Sequence, residues 1–348
     1  MGEKFVNLRI VTYDQAYPDF RKAYGVAGTP TVLFLDTGGG EIDRIVGYGG
    51  QKDEYFQKVR DYAAGKNTLR VLLAQYDGKT DDVEANFAMA QKYLDRFETD
   101  KAVPFFEKVL ALDPEDTKGH KVEATYRIAL NEAREKQNVE PLKAFIATDP
   151  EEKYLSDAYN TLASVYMRKK DTDSMVATYE AALERFPENP RMMFSYSASI
   201  LRAELEDLYP KALELNEKVR ALDPEAKTAT VYNLITYYQN IGDTEKLIET
   251  FEGAIAEEPE SSGLLSYYAS TINSQEIESH YDRGIEVIKK AIELNAGSWS
   301  YWYKLSLLYE KKGEQEQAFE AVKKALELSP DNPRLKQVLD KLEGTEAH

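Results

Sequence analysis

The stretch YWYKLSLLYEKKGEQEQAFEAVKKALELSP, residues 301–330, decides the fold. Its apolar residues recur at helical spacing on both sides of Gly313: Trp302, Leu305 and Tyr309 before it, Ala318, Val322 and Ala325 after it. Glycine is favoured just past a helix end, and Pro330 stands where the second helix must stop. The segment therefore predicts two helices joined by a tight turn. A small residue late in the first helix and another in the second let the two backbones approach; Ala318 supplies the second, while Ser306 here, like Ile235 in the fifth unit, replaces the first. The large residues three and four positions away fill the space towards neighbouring units.

The same offsets recur upstream. Val231, Leu234, Ile235, Tyr238, Gly242, Leu247, Phe251, Ala254 and Pro259 reproduce them. So do Tyr159, Leu162, Ala163, Tyr166, Met175, Tyr179, Ala182 and Pro187, and again Met89, Ala90, Tyr93, Ala102, Phe106, Val109 and Pro114. Aligned on the closing residue, the units end at Pro114, Pro150, Pro187, Pro224, Pro259, Ala296 and Pro330, at intervals of 36, 37, 37, 35, 37 and 34. A period in this range means stacked helical hairpins. Units four and six require about three residues inserted between their helices, near Glu204–Tyr209 and Gln275–Tyr281. Unit two matches least well: Ala124 fits, but Asn138 and Phe145 stand where small residues are expected. Residues 333–343 predict one further helix, with Leu335, Val338, Leu339 and Leu342 on one face, as a terminal cap requires. Thr68–Tyr76 reads as a connecting helix.

This pattern resembles the tetratricopeptide repeat, over roughly residues 83–332 and about seven units. The resemblance implies a mainly α protein: a tetratricopeptide-type, right-handed α-solenoid of about seven helical hairpins plus a capping helix. It also implies a concave groove, lined by the first helix of each unit, that holds a peptide or protein segment.

Before residue 66 the sequence has another character. Phe5–Tyr13 alternates as a strand, and Pro18 opens a short helix closed by Gly25. Thr31–Leu35 is a near-continuous apolar run, as in a strand buried on both faces. Gly38-Gly39-Gly40 turns the chain into a second strand over 41–47, and a helix follows over 52–64. The glycines lack the following helix and the Lys-Ser/Thr of a phosphate loop, so they read as a hairpin turn. The string Tyr24-Gly25-Val26-Ala27-Gly28-Thr29-Pro30-Thr31, with Arg44-Ile45-Val46-Gly47-Tyr48, resembles the C-terminal half of a thioredoxin-like domain. That resemblance implies a cis bond before Pro30 and a peptide-contacting backbone beside it. The family's Cys-x-x-Cys half has no counterpart here, so the expected unit is a small, truncated α/β remnant. Truncation of the gene, a late start codon and natural degeneration all remain open at this point. The expected divisions are 1–66 for this unit, 67–82 for a connecting helix and linker, 83–332 for the repeat array, and 333–348 for the capping helix and tail.

Composition narrows the chemistry. The 348 residues are 43% hydrophobic and 30% charged, with 61 acidic against 44 basic residues and a net charge of −17. Phosphate binding needs clustered cations, so a nucleic-acid partner is not expected. Cysteine is absent, which removes disulfides, thiolate metal sites and thiol chemistry from this chain. His120, His280 and His348 are far apart, and the first two fall near helix starts or in an inserted turn, where capping or surface roles are the default. No cofactor or metal is expected. No apolar run approaches the roughly 18 residues of a membrane span. The expected compartment is cytoplasmic, or exported and periplasmic with a further N-terminal segment.

The candidate binding residues lie one position after the leading residue of the first helix in units one, three, four, five and seven: Phe87, Asn160, Phe194, Tyr232 and Tyr303. Four are aromatic, offering large contact area at little cost in rotamer entropy. Packing against the next unit is the competing role for each. The face shows little of the Lys/Asn/Arg set with which some tetratricopeptide proteins grip a C-terminal carboxylate. The expectation is a non-enzymatic scaffold for a protein or peptide, with the net charge favouring a partner of basic character. The competing expectation is the C-terminal part of a thiol–disulfide oxidoreductase whose dithiol lies upstream. The sequence sets no oligomeric state.

Overall fold

The computed structural model describes residues 18–26, 28 and 30–346. The strand expected over 5–13 and the Thr29–Pro30 bond lie outside the described residues. Helix α1 (Pro18–Ala23) leads to an antiparallel hairpin of β1 (Thr31–Leu35) and β2 (Glu41–Val46), in which Val32 pairs with Ile45 and Leu33 with Arg44. The Asp36 carboxylate closes the glycine turn by accepting hydrogen bonds from the N–H groups of Gly38 (3.0 Å) and Gly40 (2.8 Å). Helix α2 (Lys52–Ala63) covers one face, where Phe34, Ile45 and Tyr62 form a small core. The expectation that β1 is buried on both faces fails: of its residues only Phe34 is buried. The described sheet has two strands, so a single covering layer leaves the other face of β1 partly open.

Helix α3 (Leu69–Tyr76), capped by the Thr68 hydroxyl, connects to seven helical pairs. They are α4 (Val83–Asp95) with α5 (Thr99–Leu112), α6 (Lys121–Glu135) with α7 (Glu140–Ala147), α8 (Glu152–Arg168) with α9 (Thr172–Arg185), and α10 (Pro190–Arg202) with α11 (Tyr209–Leu222). Then come α12 (Lys227–Ile241) with α13 (Thr244–Glu257), α14 (Ser262–Ser274) with α15 (Tyr281–Leu294), and α16 (Trp299–Lys312) with α17 (Gln315–Leu328). Helix α18 (Pro333–Glu346) caps the last pair through buried Leu335 and Leu342.

The sequence signals act as expected at these ends. Gly242 and Gly313 terminate α12 and α16 in the left-handed conformation (φ 71° and 78°), which a side chain would strain. Asp82, Asp171 and Asp243 each accept a hydrogen bond from a first-turn N–H of α4, α9 and α13. Small residues sit at the close contacts: Ala90 and Ala102 are fully buried, as are Ala163 and Ala182. At Gly284 an added Cβ would lie 3.2 Å from Leu308 Cδ1, so α15 comes close enough to α16 that even a methyl group would press the Leu308 side chain aside by a few tenths of an ångström.

Both insertions fold alike. Residues Glu206–Leu208 and Glu278–His280 form single 3₁₀ turns, entered through left-handed Glu204 (φ 52°) and Glu276 (φ 51°). The Leu205 N–H bonds the Ile200 carbonyl as the Ile277 N–H bonds that of Ile272. Unit two departs from the pattern because α7 has only eight residues, and Phe145 fills the gap against Tyr126 and Tyr154. The chain divides into two compact units, one up to Met192 and one from Met193 onward, with the division inside α10.

Candidate protein-docking surface

In the N-terminal unit the hairpin is locked to the first repeat by ions. The Asp43 carboxylate on β2 is fully buried. It pairs with Lys92 and with Arg96 Nη1 (2.7 Å), both on or just after α4, and accepts the N–H groups of Arg44 and Leu69, each at 2.8 Å. Arg96 also reaches Glu41 Oε1 (2.8 Å) and Glu98, while Lys92 Nζ donates to Tyr62 Oη (2.6 Å) and the Asn67 carbonyl (2.7 Å). Burial pushes the Glu41 and Glu98 carboxyls up, but hydrogen bonds from Arg44 and Arg96 on the first, and from Arg96 and Lys101 on the second, hold both below the ordinary glutamate range. Burial pulls the Lys92 ammonium down and raises the Tyr62 phenol. Removing one partner of such a cluster strands a buried charge, which is far costlier than losing a surface pair. Beside it, α2 and α4 enclose a cleft of about 580 Å³ with Glu54, Asp61 and Asp95 on its walls and Lys58 paired to Asp95 at 2.9 Å.

The first helices of this unit, α4, α6 and α8, also meet through charge. Gln91 bonds Glu123 (2.9 Å), and Tyr126 Oη donates to Asp157. Arg134 reaches Thr161 (3.0 Å) and Asp157 (3.4 Å), and Arg191 reaches Asp157 at 3.4 Å.

In the C-terminal unit the corresponding layer is built differently. Helices α10, α12 and α14 contain no carboxylate, and Glu310 is the single acidic residue of α16. The helices are joined by neutral groups. Asn233 Nδ2 reaches Ser197 Oγ (3.3 Å) and Asn216 Oδ1 (3.4 Å), and Asn240 Nδ2 donates to the Leu201 carbonyl (2.8 Å). Tyr232 stacks on Tyr267 with ring centroids 5.6 Å apart. Tyr267 Oη donates to Gln239 Oε1 (3.2 Å), and Gln239 Nε2 donates to Thr271 Oγ1 (3.3 Å). Tyr301 Oη donates to Ser262 Oγ (3.2 Å). Lys304 crosses from α16 to α14, where its ammonium meets the Ser266 hydroxyl and carbonyl. Burial lowers its pKa, and no carboxylate among the described residues pairs with it.

The sequence-derived candidates fall into different settings. Phe87 stacks face to face on His120 (3.7 Å), whose Nε2 lies 3.1 Å from Glu84. Asn160 donates to the Ser156 carbonyl (3.1 Å), leaving its buried Oδ1 without a protein partner. Phe194 and Tyr232 are half-buried on α10 and α12. Tyr303 is 9% exposed, packed near Trp299 and beneath the Arg334 guanidinium, 4.9 Å from its ring. His280 lies in the second inserted turn, with Nδ1 3.0 Å from Ser279 Oγ. Phe87 and Asn160 belong to the N-terminal unit; Phe194, Tyr232 and Tyr303 belong to the C-terminal one. Tyr267, Tyr301 and Lys304 were missed. Unit six shifts phase through its insertion, and counting one position past each leading residue misses bridging groups such as these. The depletion of carboxylates in α10, α12 and α14 was the signal that marks their face.

The tetratricopeptide repeat family model matches residues 83–116, 156–189 and 300–332, the pairs α4–α5, α8–α9 and α16–α17. These segments are tetratricopeptide repeats. The remaining pairs repeat their helix order, so the array is a tetratricopeptide-type α-solenoid with a capping helix. A tetratricopeptide repeat protein from Parabacteroides merdae ATCC 43184 is similar, with a TM-score of 0.53 and 14% identity over 75% of this chain and 98% of its own. Yeast Tom70 is similar with a TM-score of 0.52 and 16% identity over 85% of this chain and 59% of its own. A MamA protein reaches 22% identity over 50% of this chain and 92% of its own, with a TM-score of 0.40. At these identities the likeness concerns the fold alone. No curated protein matches the chain in sequence. The family matches begin at residue 83, after the hairpin and α2. Among the described residues no helix is long and apolar enough to cross a membrane, and no group of three metal-ligating side chains forms.

Proposed function

We propose that this protein is a non-enzymatic interaction scaffold whose repeats hold a peptide or protein segment along their first helices. The observation that carries this reading is the layer formed by α10, α12, α14 and α16. It presents half-buried Phe194, Tyr232, Tyr267 and Tyr301, with amides and hydroxyls held between them. Rigid aromatic rings give contact area, and fixed polar groups can meet the backbone of an incoming chain. In this reading residues 1–66 are a redox-inactive thioredoxin-like remnant that serves as an N-terminal docking cap. The absence of cysteine means the chain has no thiolate nucleophile of its own.

The test is capture by the immobilised full chain, compared with a Phe194→Ala/Tyr232→Ala variant. Proteins identified by mass spectrometry on the wild type should be lost from the variant, with helix content by circular dichroism nearly unchanged. Identical capture by the two chains would remove the groove from the account. An insulin-reduction assay on the same chain should read blank; turnover would overturn the non-enzymatic reading.

A further inference from the structure

We propose that the face formed by α10, α12, α14 and α16 selects an acidic segment of its partner protein, with Lys304 receiving one of that segment's side-chain carboxylates. The proposal deepens the scaffold reading and rests on it. Net charge argues the other way, since −17 steers a basic partner at long range. The charge is not spread evenly, however. Three consecutive first helices of the C-terminal unit hold no carboxylate, and α14 holds no charged residue at all. Their paired second helices carry the acids: Glu245, Glu249, Glu252 and Glu257 all lie on α13 alone. At contact range a ligand lying across α14 and α16 therefore meets mainly neutral donors and Lys304, while a carboxylate from outside these helices, Glu258, reaches the start of α12 by accepting the Thr228 hydroxyl.

Lys304 supplies the specific contact. Its aliphatic stem is half-buried, and its ammonium is held in place by Ser266, a neighbour that carries no charge. An ammonium drawn out of water is stabilised by an opposite charge, and Lys92 shows how this chain provides one when the site is closed, through Asp43. Among the described residues Lys304 has only the hydroxyl and carbonyl oxygens of Ser266. Arg334 adds a second cation, for which the described residues supply no carboxylate partner, over the ring of the adjacent Tyr303. A carboxylate arriving on the segment would complete the ion pair in a partly dehydrated setting, where charge-assisted hydrogen bonds are strong. The side chains of the stacked Tyr232–Tyr267 pair would take the segment's apolar residues.

The test uses the full chain and two short fluorescent peptides, both acetylated and amidated so that neither has a terminal charge. One alternates glutamate with leucine and tyrosine; the other has lysine at every glutamate. Anisotropy should show the acidic peptide binding about tenfold or more tightly, with affinity falling as salt rises. Lys304→Met should weaken it about tenfold, and Lys304→Arg should retain most of it. Equal or tighter binding of the lysine peptide, no binding of the acidic one, or indifference to Lys304→Met would each overturn the proposal. Basic-peptide binding that is lost in Phe194→Ala/Tyr232→Ala would leave the scaffold reading standing and remove this one alone. An oligouridylate that binds more tightly than the acidic peptide, and loses binding in Lys304→Met, would reassign the face to nucleic acid.

Discussion

Lys92 and Lys304 each sit on the first helix of a repeat, and burial lowers the pKa of each, yet they meet opposite environments. Lys92, in the N-terminal unit, ends on the buried Asp43 carboxylate inside a cluster that includes Arg96, Glu41 and Glu98. Lys304, in the C-terminal unit, ends on a serine. One region satisfies its charges internally and so fixes a hairpin to a helix. The other keeps α10, α12 and α14 free of carboxylates and joins its first helices with amides, hydroxyls and stacked rings. The difference sets a surface whose buried charges are paired within the chain beside one whose buried ammonium has only serine oxygens among the described residues.

The largest expected effect would break this contrast at its firmest point. Asp43→Ala leaves Lys92 and Arg96 buried without their shared anion, and should cost about 3–5 kcal/mol. Hydrogen exchange should show the loss of protection in β2, α3 and α4, with α12–α18 unchanged. Equal loss in both units would mean that the cluster is not a local lock.

A steric change sharpens the other side. Gly284→Val places methyl groups against Leu308 and Ile272, and should cost about 1–3 kcal/mol through overpacking. Thermal unfolding followed by exchange should place that loss in the C-terminal unit. A neutral result would contradict the close approach of α15 and α16.

Acid should separate the regions more gently. Glu41 and Glu98 titrate below the ordinary glutamate range in the folded chain. Their contribution is therefore present above the unfolded glutamate pKa and is lost as pH falls through the lowered folded values. Exchange protection around β2 and α4 should fall below about pH 4, while α10, α12 and α14, which carry no carboxylate, change less. The smallest effect belongs to Lys304→Met. Burial disfavours its charged form, so removing the charge should leave stability within about 0.5 kcal/mol of wild type. A large destabilisation would give Lys304 a packing role.

The repeat architecture was legible because its signals are local. The closing prolines, Gly242, Gly313 and the small residues at Ala90, Ala182 and Ala318 each act within one helical pair, so spacing alone reveals them. Both inserted turns were located for the same reason. The lock around Asp43 was not legible, because Arg96 lies 53 positions away and one aspartate among 61 acidic residues has no distinguishing neighbour. The burial of β1 was misjudged because an apolar run specifies what a strand tolerates, not how many layers cover it. On the candidate face, the phase of the helices is enough to single out Phe194 and Tyr232 as candidates, whereas the setting of Lys304 depends on Ser266, 38 positions earlier on a neighbouring helix.

The most direct measurement is hydroxyl-radical footprinting of the full chain with and without the acidic peptide. Reduced oxidation is expected at Phe194, Tyr232, Tyr267 and Tyr301, with no change at Phe97, the exposed phenylalanine after α4. Protection at Phe97, or on the second helices at Phe319, with the four aromatic residues unchanged, would contradict it.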